Sequence, residues 1–234
     1  MSFYSDQKKF FFAVDCVLFS YNDCGLNILL SKRMYEPFKD KWSLVGGFVN
    51  ENESAEEAAK QVLKSFTAND NIYMEQLYAF TDIGRETTQR TISLTYFALI
   101  KIQEYKQPVE KEDCAKWFPI DKLPELIAEH AKILEFAKER IKYRAAKQPL
   151  LFELLPDKFT ILQLHTLYEK VFNIQFDRRN IDRKLKQSNI LVKLPEKDKA
   201  GSRRGAFYFK LNEKELNNFN EFGNIVPLKY HLSM

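Results

Sequence analysis

The chain has 234 residues, 45% hydrophobic and 29% charged, with seven glycines and eight prolines. That length accommodates two compact domains, and the composition excludes a disordered chain, a collagen-like repeat and a low-complexity tract. The net charge is only +4, but residues 176–210 hold eleven Lys or Arg against four Asp or Glu, so that stretch is +7 and the remainder −3. A basic block in a mildly acidic protein is an electrostatic footprint for a polyanion.

The N-terminal segment MSFYSDQKKFFFAVDC does not read as a signal peptide, because its apolar run is short, follows charges and contains Asp15. FFFAVDCVLF at 10–19 predicts a buried strand. A carboxylate inside it is costly unless paired, so Asp15 needs a partner: an Arg, a backbone amide or a ligand. Asn22 to Gly25 is turn chemistry, and LNILLSKR returns as the second strand of a hairpin. WSLVGGFV at 42–49 is a short strand running into a glycine pair. Ser54 and Glu57 have capping-box spacing, and 55–66 lacks Gly and Pro, which predicts a helix.

Residues 73–80 and 90–102 read as strands around the polar loop GRETTQR, and 117–120 as a last short strand. Ile127, Ala131, Leu134, Ala137 and Ile141 recur at helical spacing and predict a helix over 126–143. Gln148-Pro149 and Pro156 punctuate the chain next, so the division is placed at 1–146, a linker 147–156 and 157–234. Beyond it the pattern is helix, helix, hairpin. Thr160 caps the first helix, and Asp177 caps the second, which turns Ile181 and Leu185 inward. ILVKLP and GAFYFKL are strands joined by the charged loop EKDKAGSRR. Trp42, Trp117, His165 and the run Phe207, Tyr208, Phe209 read as packing residues.

Three cysteines without CxxC spacing and three scattered histidines give neither a disulfide framework nor a zinc site, and fit a reducing cytosol. No apolar run is long enough to span a bilayer.

The segment GGFVNENESAEEAAK, after WSLVGG, resembles the front half of the Nudix box: Gly47 and Glu53 stand at the right spacing before the capped helix. The back half departs. Where that box has Arg-Glu, this chain has Gln61-Val62; where it has Glu-Glu, it has Ser65-Phe66; its Gly is Ala68. Positions 62, 65 and 66 share one helical face, and Val, Ser and Phe cannot supply the carboxylates that hold divalent cations against a diphosphate. Glu53 and Glu57 share a face, but acidic residues in a first turn also complement the helix dipole. The expectation is therefore no catalytic residue, no metal, no cofactor and no enzyme. The alternative is a metal-dependent Nudix hydrolase of ADP-ribose or related nucleoside diphosphates.

YMEQLYAFTDIGRETTQRTISLTYFALI, with the helix–helix–hairpin that follows, is similar to the Nudix-related transcriptional regulators, nearest the arabinose-type group. The resemblance implies an α+β chain: a Nudix α/β/α sandwich with a mixed sheet, then a winged helix-turn-helix domain. Arg85 and Arg90 match the first and last arginines of that family's usual loop, whereas Glu86, Thr87 and Thr88 depart from it. The resemblance also implies a cytoplasmic, homodimeric regulator, a repressor of pentose utilisation, that binds a double-stranded DNA operator and releases it on binding an effector.

The effector is expected in a cleft between the glycine pair, the Nudix helix and the strand loops, with Asp15, Arg33, Glu75, Asp82, Arg85 and Arg90 as candidate contacts. Arabinose or xylose would lean on Asp15 and Asp82, and ADP-ribose would use Arg85 and Arg90 on its phosphates. The DNA contacts are expected from the second capped helix and the wing: Arg178, Arg179, Asn180, Arg183 and Lys184, then Lys197, Lys199, Arg203 and Arg204. Arg and Asn offer bidentate geometry to guanine and adenine, and a basic hairpin grips the adjacent backbone.

Overall fold

The computed structural model describes residues 7–22, 25–67, 69, 71–86, 89–106, 115–199, 204–212 and 214–215. They fall into two compact units. One lies within Met1–Phe19, Ile28–Ile100 and Glu104–Ala137, the other within Ser20–Asn27, Lys101–Gln103 and Lys138–Met234. Among the described residues no helix is long and apolar enough to cross a membrane.

The first unit is built on a six-stranded mixed sheet. Its strands are β1 (Phe11–Asn22), β2 (Gly25–Lys32), β3 (Trp42–Phe48), β4 (Tyr73–Phe80), β5 (Thr91–Leu99) and β6 (Ala115–Pro119), in the order β4-β5-β1-β3-β2-β6. β1 runs parallel to β5 and antiparallel to β3, and also pairs with β2 in the expected hairpin. Helix α1 (Ala55–Lys64) starts on the predicted capping box: Ser54 Oγ accepts from the Glu57 amide, and the Glu57 carboxylate accepts from the Ser54 amide. It ends at Lys64, two residues earlier than 55–66 implied, with Ser65 as its C-cap.

Alternation along a strand assigns the two sheet faces. Val14, Cys16, Leu18 and Val45 form one core with Ala58, Ala59 and Leu63 of α1. Asp15 points to the opposite face, where the start of helix α2 (His130–Lys147) meets the sheet. This helix begins four residues after the expected 126. Leu126 instead bridges to Trp42, the Ile127 amide donates to the Trp42 carbonyl at 3.0 Å, and Ala128 takes a left-handed turn at φ 45°. A tertiary pairing has overridden the helical spacing there.

The second unit includes residues 147–156, the segment expected as a linker. Leu150–Leu154 make a 3-10 turn, and Leu150, Leu151, Phe152, Leu154 and Leu155 are buried. Short strand β7 (Phe159–Thr160) leads into α3 (Ile161–Phe172), where Thr160 and Gln163 form a second capping box. Helix α4 (Arg178–Gln187) is capped by Asp177, and Ile181 and Leu185 are buried as predicted. Strands β8 (Leu191–Asp198) and β9 (Ala206–Leu211) complete a sheet of order β7-β9-β8. Helix, helix and hairpin together make a winged helix.

Candidate effector cleft and nucleic-acid interface

The first unit holds a buried ionic cluster on the α2 face. Arg85 Nη2 donates to Asp15 Oδ2 at 3.2 Å, its Nε donates to the Glu129 carboxylate, and only 4% of its side chain is exposed. Ser93 Oγ donates to Asp15 Oδ2 at 2.6 Å. The partner that Asp15 required is thus an arginine 70 residues away, reinforced by a hydroxyl. Two carboxylates around one guanidinium offset the cost of burying all three charges.

His130 closes the cluster. Its Nδ1 accepts from the Leu44 amide at 2.9 Å, and its Nε2 lies 3.9 Å from Asp15. Burial holds its pKa below the ordinary value, against the raising pull of Asp15, with the Arg85 charge also lowering it. A neutral imidazole with its proton on Nε2 leaves Nδ1 free to accept from the Leu44 amide. Gly46 is required beside this cluster, because a Cβ there would collide with the Val14 carbonyl oxygen and lie 2.9 Å from Asp15 Oδ1. At Gly47 the nearest atom to a new Cβ is Val62 Cγ2 at 3.6 Å, an ordinary contact.

Over this cluster opens a cleft of about 460 Å³ lined by Phe11, Asp15, Arg33, Tyr35, Gly46, Phe48, Arg85, Glu86, Gln89 and His130, among others. Helix α1 contributes no lining residue. This cleft opens on the face of the sheet opposite α1, whose apolar side packs on the other core.

Of the six effector candidates, Asp15, Arg33 and Arg85 line the cleft, and Glu75, Asp82 and Arg90 do not. Glu75 accepts from the Tyr73 hydroxyl at 2.8 Å on β4. Asp82 is exposed and pairs with Lys132 at 3.2 Å. Arg90 donates to the carbonyls of Thr81 and Asp82 at 2.6 and 2.7 Å, bracing the loop from within. Arg33 is 3.6 Å from Glu86, with 30% of its side chain exposed, and is the more accessible of the two arginines that line the cleft. The aromatics Phe11, Tyr35 and Phe48 were not singled out in the sequence; their signal is an exposed ring at a strand end or in the loop after β2.

On the α1 face positions 62, 65 and 66 carry no charge. Val62 packs against the core and Phe66 is fully buried, while Ser65 Oγ donates to the Val62 carbonyl. Glu53 accepts from the Asn50 amide and from Gln61 Nε2, each at 2.8 Å, and Glu57 is held by Ser54. The Ser54 amide and hydroxyl keep the Glu57 carboxyl below its usual range. Among the described residues no group of three or more His, Cys, Asp or Glu is placed to hold a metal ion. This donor set does not fit the divalent cations of the Nudix box. Burial pushes the nearby Cys16 thiol up and leaves it unreactive.

In the second unit the basic residues gather on α4 and the wing. Arg179 and Arg183 are exposed, and Arg183 Nη2 donates to Asn180 Oδ1 at 2.9 Å. Lys184 is half-buried. Arg178 is already occupied: its Nε and Nη2 donate to the two Glu169 oxygens at 3.1 and 2.7 Å, clamping α4 to α3 and lowering the Glu169 pKa. Lys197, Lys199 and Arg204 are exposed on the wing, and Arg203 lies outside the described residues. His165 is buried as a packing residue, 2.9 Å from Asp182 of α4; burial lowers its pKa more than the Asp182 charge raises it.

Comparison with known proteins agrees with both units. Residues 9–137 match the NUDIX domain, and residues 151–211 match the NrtR DNA-binding winged helix domain. A protein of Acinetobacter baylyi, described as an ADPR responsive transcriptional repressor NtrR, is 26% identical over 91% of this chain and 87% of its own length. The crystal structure of Shewanella oneidensis NrtR complexed with a 27mer DNA superposes with a TM-score of 0.76 at 27% identity, covering 88% of this chain and 95% of that one. The NUDIX domain of the same Shewanella protein, complexed with ADP ribose, gives 0.52 at 32% identity over 58% of this chain and 92% of that one. The two-domain expectation holds. The arabinose-type resemblance does not: these relatives point to ADP-ribose, which the sequence left as the second effector.

Proposed function

We propose that this chain, which belongs to the NUDIX domain family and carries an NrtR-type winged helix, is a DNA-binding transcriptional repressor whose Nudix unit senses ADP-ribose and does not hydrolyse it. The observation that carries the reading is the position of the cleft. It opens on the α2 face, with Arg33 at its wall, while the Nudix helix presents Val62 and Phe66 where metal-binding carboxylates would stand. A site of this kind can bind a diphosphate through a guanidinium without assembling the metal chemistry that cleaves it. The basic α4 and wing supply the DNA end of the molecule. The relatives' ADP-ribose and DNA partners support the same pairing.

As a cytoplasmic homodimer the protein would place two winged helices on two half-sites, as a palindromic operator requires. For ADP-ribose to release DNA, it must bind the DNA-incompetent state more tightly than the competent one.

The test is a gel shift on the region upstream of the chain's own gene, with ADP-ribose, arabinose and xylose as additives. The expected result is a specific shift that ADP-ribose reverses and the pentoses leave alone. In parallel, ADP-ribose with Mg²⁺ or Mn²⁺ should survive unchanged. Rapid metal-dependent cleavage, lost in Glu57→Gln, would establish the hydrolase instead. On the DNA side, Arg179→Ala or Arg183→Ala should relax base preference, and Lys199→Ala should weaken all sequences alike.

A further inference from the structure

The wing carries an aromatic ring under two lysines. Lys193 Nζ lies 3.6 Å from the Phe207 ring centroid, and Lys197 Nζ lies 4.4 Å from the same ring. Resting on the reading of this unit as DNA-binding, we propose that Phe207 is a positioning residue that holds the Lys193 and Lys197 ammonium groups together as a paired contact for DNA phosphates.

The backbone explains how two lysines four residues apart reach one ring. Lys193 pairs with Phe209 and Lys197 with Phe207, so four steps along β8 answer two along β9. The extra residues bulge out around Pro195, which has no amide to give the ladder. Because an even number is inserted, the side-chain alternation is kept, and both lysines stay on the face of Phe207 and Phe209. The bulge thus shortens the separation that regular pairing would impose.

Both ammonium groups are otherwise uncommitted to carboxylates. Lys193 and Lys197 are exposed and make no ion pair among the described residues; Lys197 Nζ also donates to the Arg204 carbonyl at 3.4 Å. Lys158 is the contrast. It sits 5.3 Å from the Tyr208 ring on the other face of the same strand, but it is ion-paired with Glu196, which raises its pKa. An aromatic face attracts a cation while leaving its charge unneutralised, so it can fix an ammonium and still offer it to a phosphate. Two long lysines normally lose rotamer freedom on reaching a backbone, and a ring that already orders them removes part of that cost.

The test is the salt dependence of affinity for a mixed-sequence DNA duplex, which needs no known operator. Each phosphate contact contributes about 0.9 to the slope of log K against log salt. Lys193→Gln and Lys197→Gln should each lower the slope by about one, and Lys158→Gln should leave it unchanged. Phe207→Leu keeps every charge, yet should lower the slope by about one to two and weaken affinity about threefold to tenfold. Phe207→Tyr, which keeps the ring face, should restore both. An unchanged slope in a folded Phe207→Leu protein overturns the proposal. So does a pair of lysine variants that behaves like Lys158→Gln, a comparison that stands even where Phe207→Leu does not fold. A wild-type chain with no affinity for the duplex would instead remove the DNA-binding reading on which the proposal rests.

Discussion

On one face of the six-stranded sheet, Val14, Cys16, Leu18 and Val45 pack against Ala58, Ala59 and Leu63 of α1 in a wholly apolar core. On the other, Asp15 meets Arg85, Glu129, Ser93 and His130 beneath an open cleft. The face with the recognisable motif is therefore the structural one. The face with no motif holds the charge, the cavity and the accessible Arg33. The Nudix helix packs its apolar side into the core, and under the proposed function binding falls to the opposite side of the strand that both faces share. Residue 15 and its neighbours 14 and 16 divide between these two roles simply by alternation.

The largest effect should follow from breaking the charged face. Arg85→Ala leaves Asp15 and Glu129 buried together without their cation, and should cost about 3–5 kcal/mol in urea unfolding. A loss under 1 kcal/mol would mean that the cluster is solvated and holds no part of α2. The glycine pair sharpens the comparison within two adjacent residues. Gly46→Ala must push aside the Val14 carbonyl and Asp15, at about 1–3 kcal/mol, whereas Gly47→Ala, facing Val62, should stay within about 0.5 kcal/mol. Equal costs at the two positions would contradict the assignment of their faces. On the α1 face, Ser54→Ala should cost only about 1 kcal/mol, the ordinary loss of a helix cap.

The smallest effect is one of pH. His130 is buried with its pKa held below the usual 6.5, so the neutral form belongs to the folded state. Its contribution is complete above pH 6.5 and is shed as the pH falls from there toward the folded pKa. His165 acts in the same direction in the second unit. Stability should therefore decline as the pH falls below about 6.5, and His130→Gln should flatten part of that decline. An unaltered slope in that variant would show that His130 does not titrate with folding.

What the sequence made legible was local. The caps at Ser54, Thr160 and Asp177, the hairpin of β1 and β2, and the inward Ile181 and Leu185 each depend on residues within a few positions of one another. Asp15 announced that it needed a partner but not which one, because Arg85 and Glu129 reach it only through the fold. The α2 start was misplaced because Leu126 pairs with Trp42, 84 positions earlier, instead of continuing the helix. The cleft over Asp15 on the α2 face was not legible, because alternation alone does not say which helix covers which face. By residue type Arg178 is equivalent to Arg179; in the fold its Nε and Nη2 donate to Glu169 on the preceding helix.

The division of labour between the two faces is tested most directly by calorimetric titration of ADP-ribose into the protein in the absence of divalent cations. The account predicts saturable binding, weakened at least about tenfold by Arg33→Ala in the cleft and unchanged by Glu53→Gln with Glu57→Gln on the α1 side. Binding that requires a divalent cation, is lost in the Glu53→Gln Glu57→Gln protein and is indifferent to Arg33→Ala would contradict it.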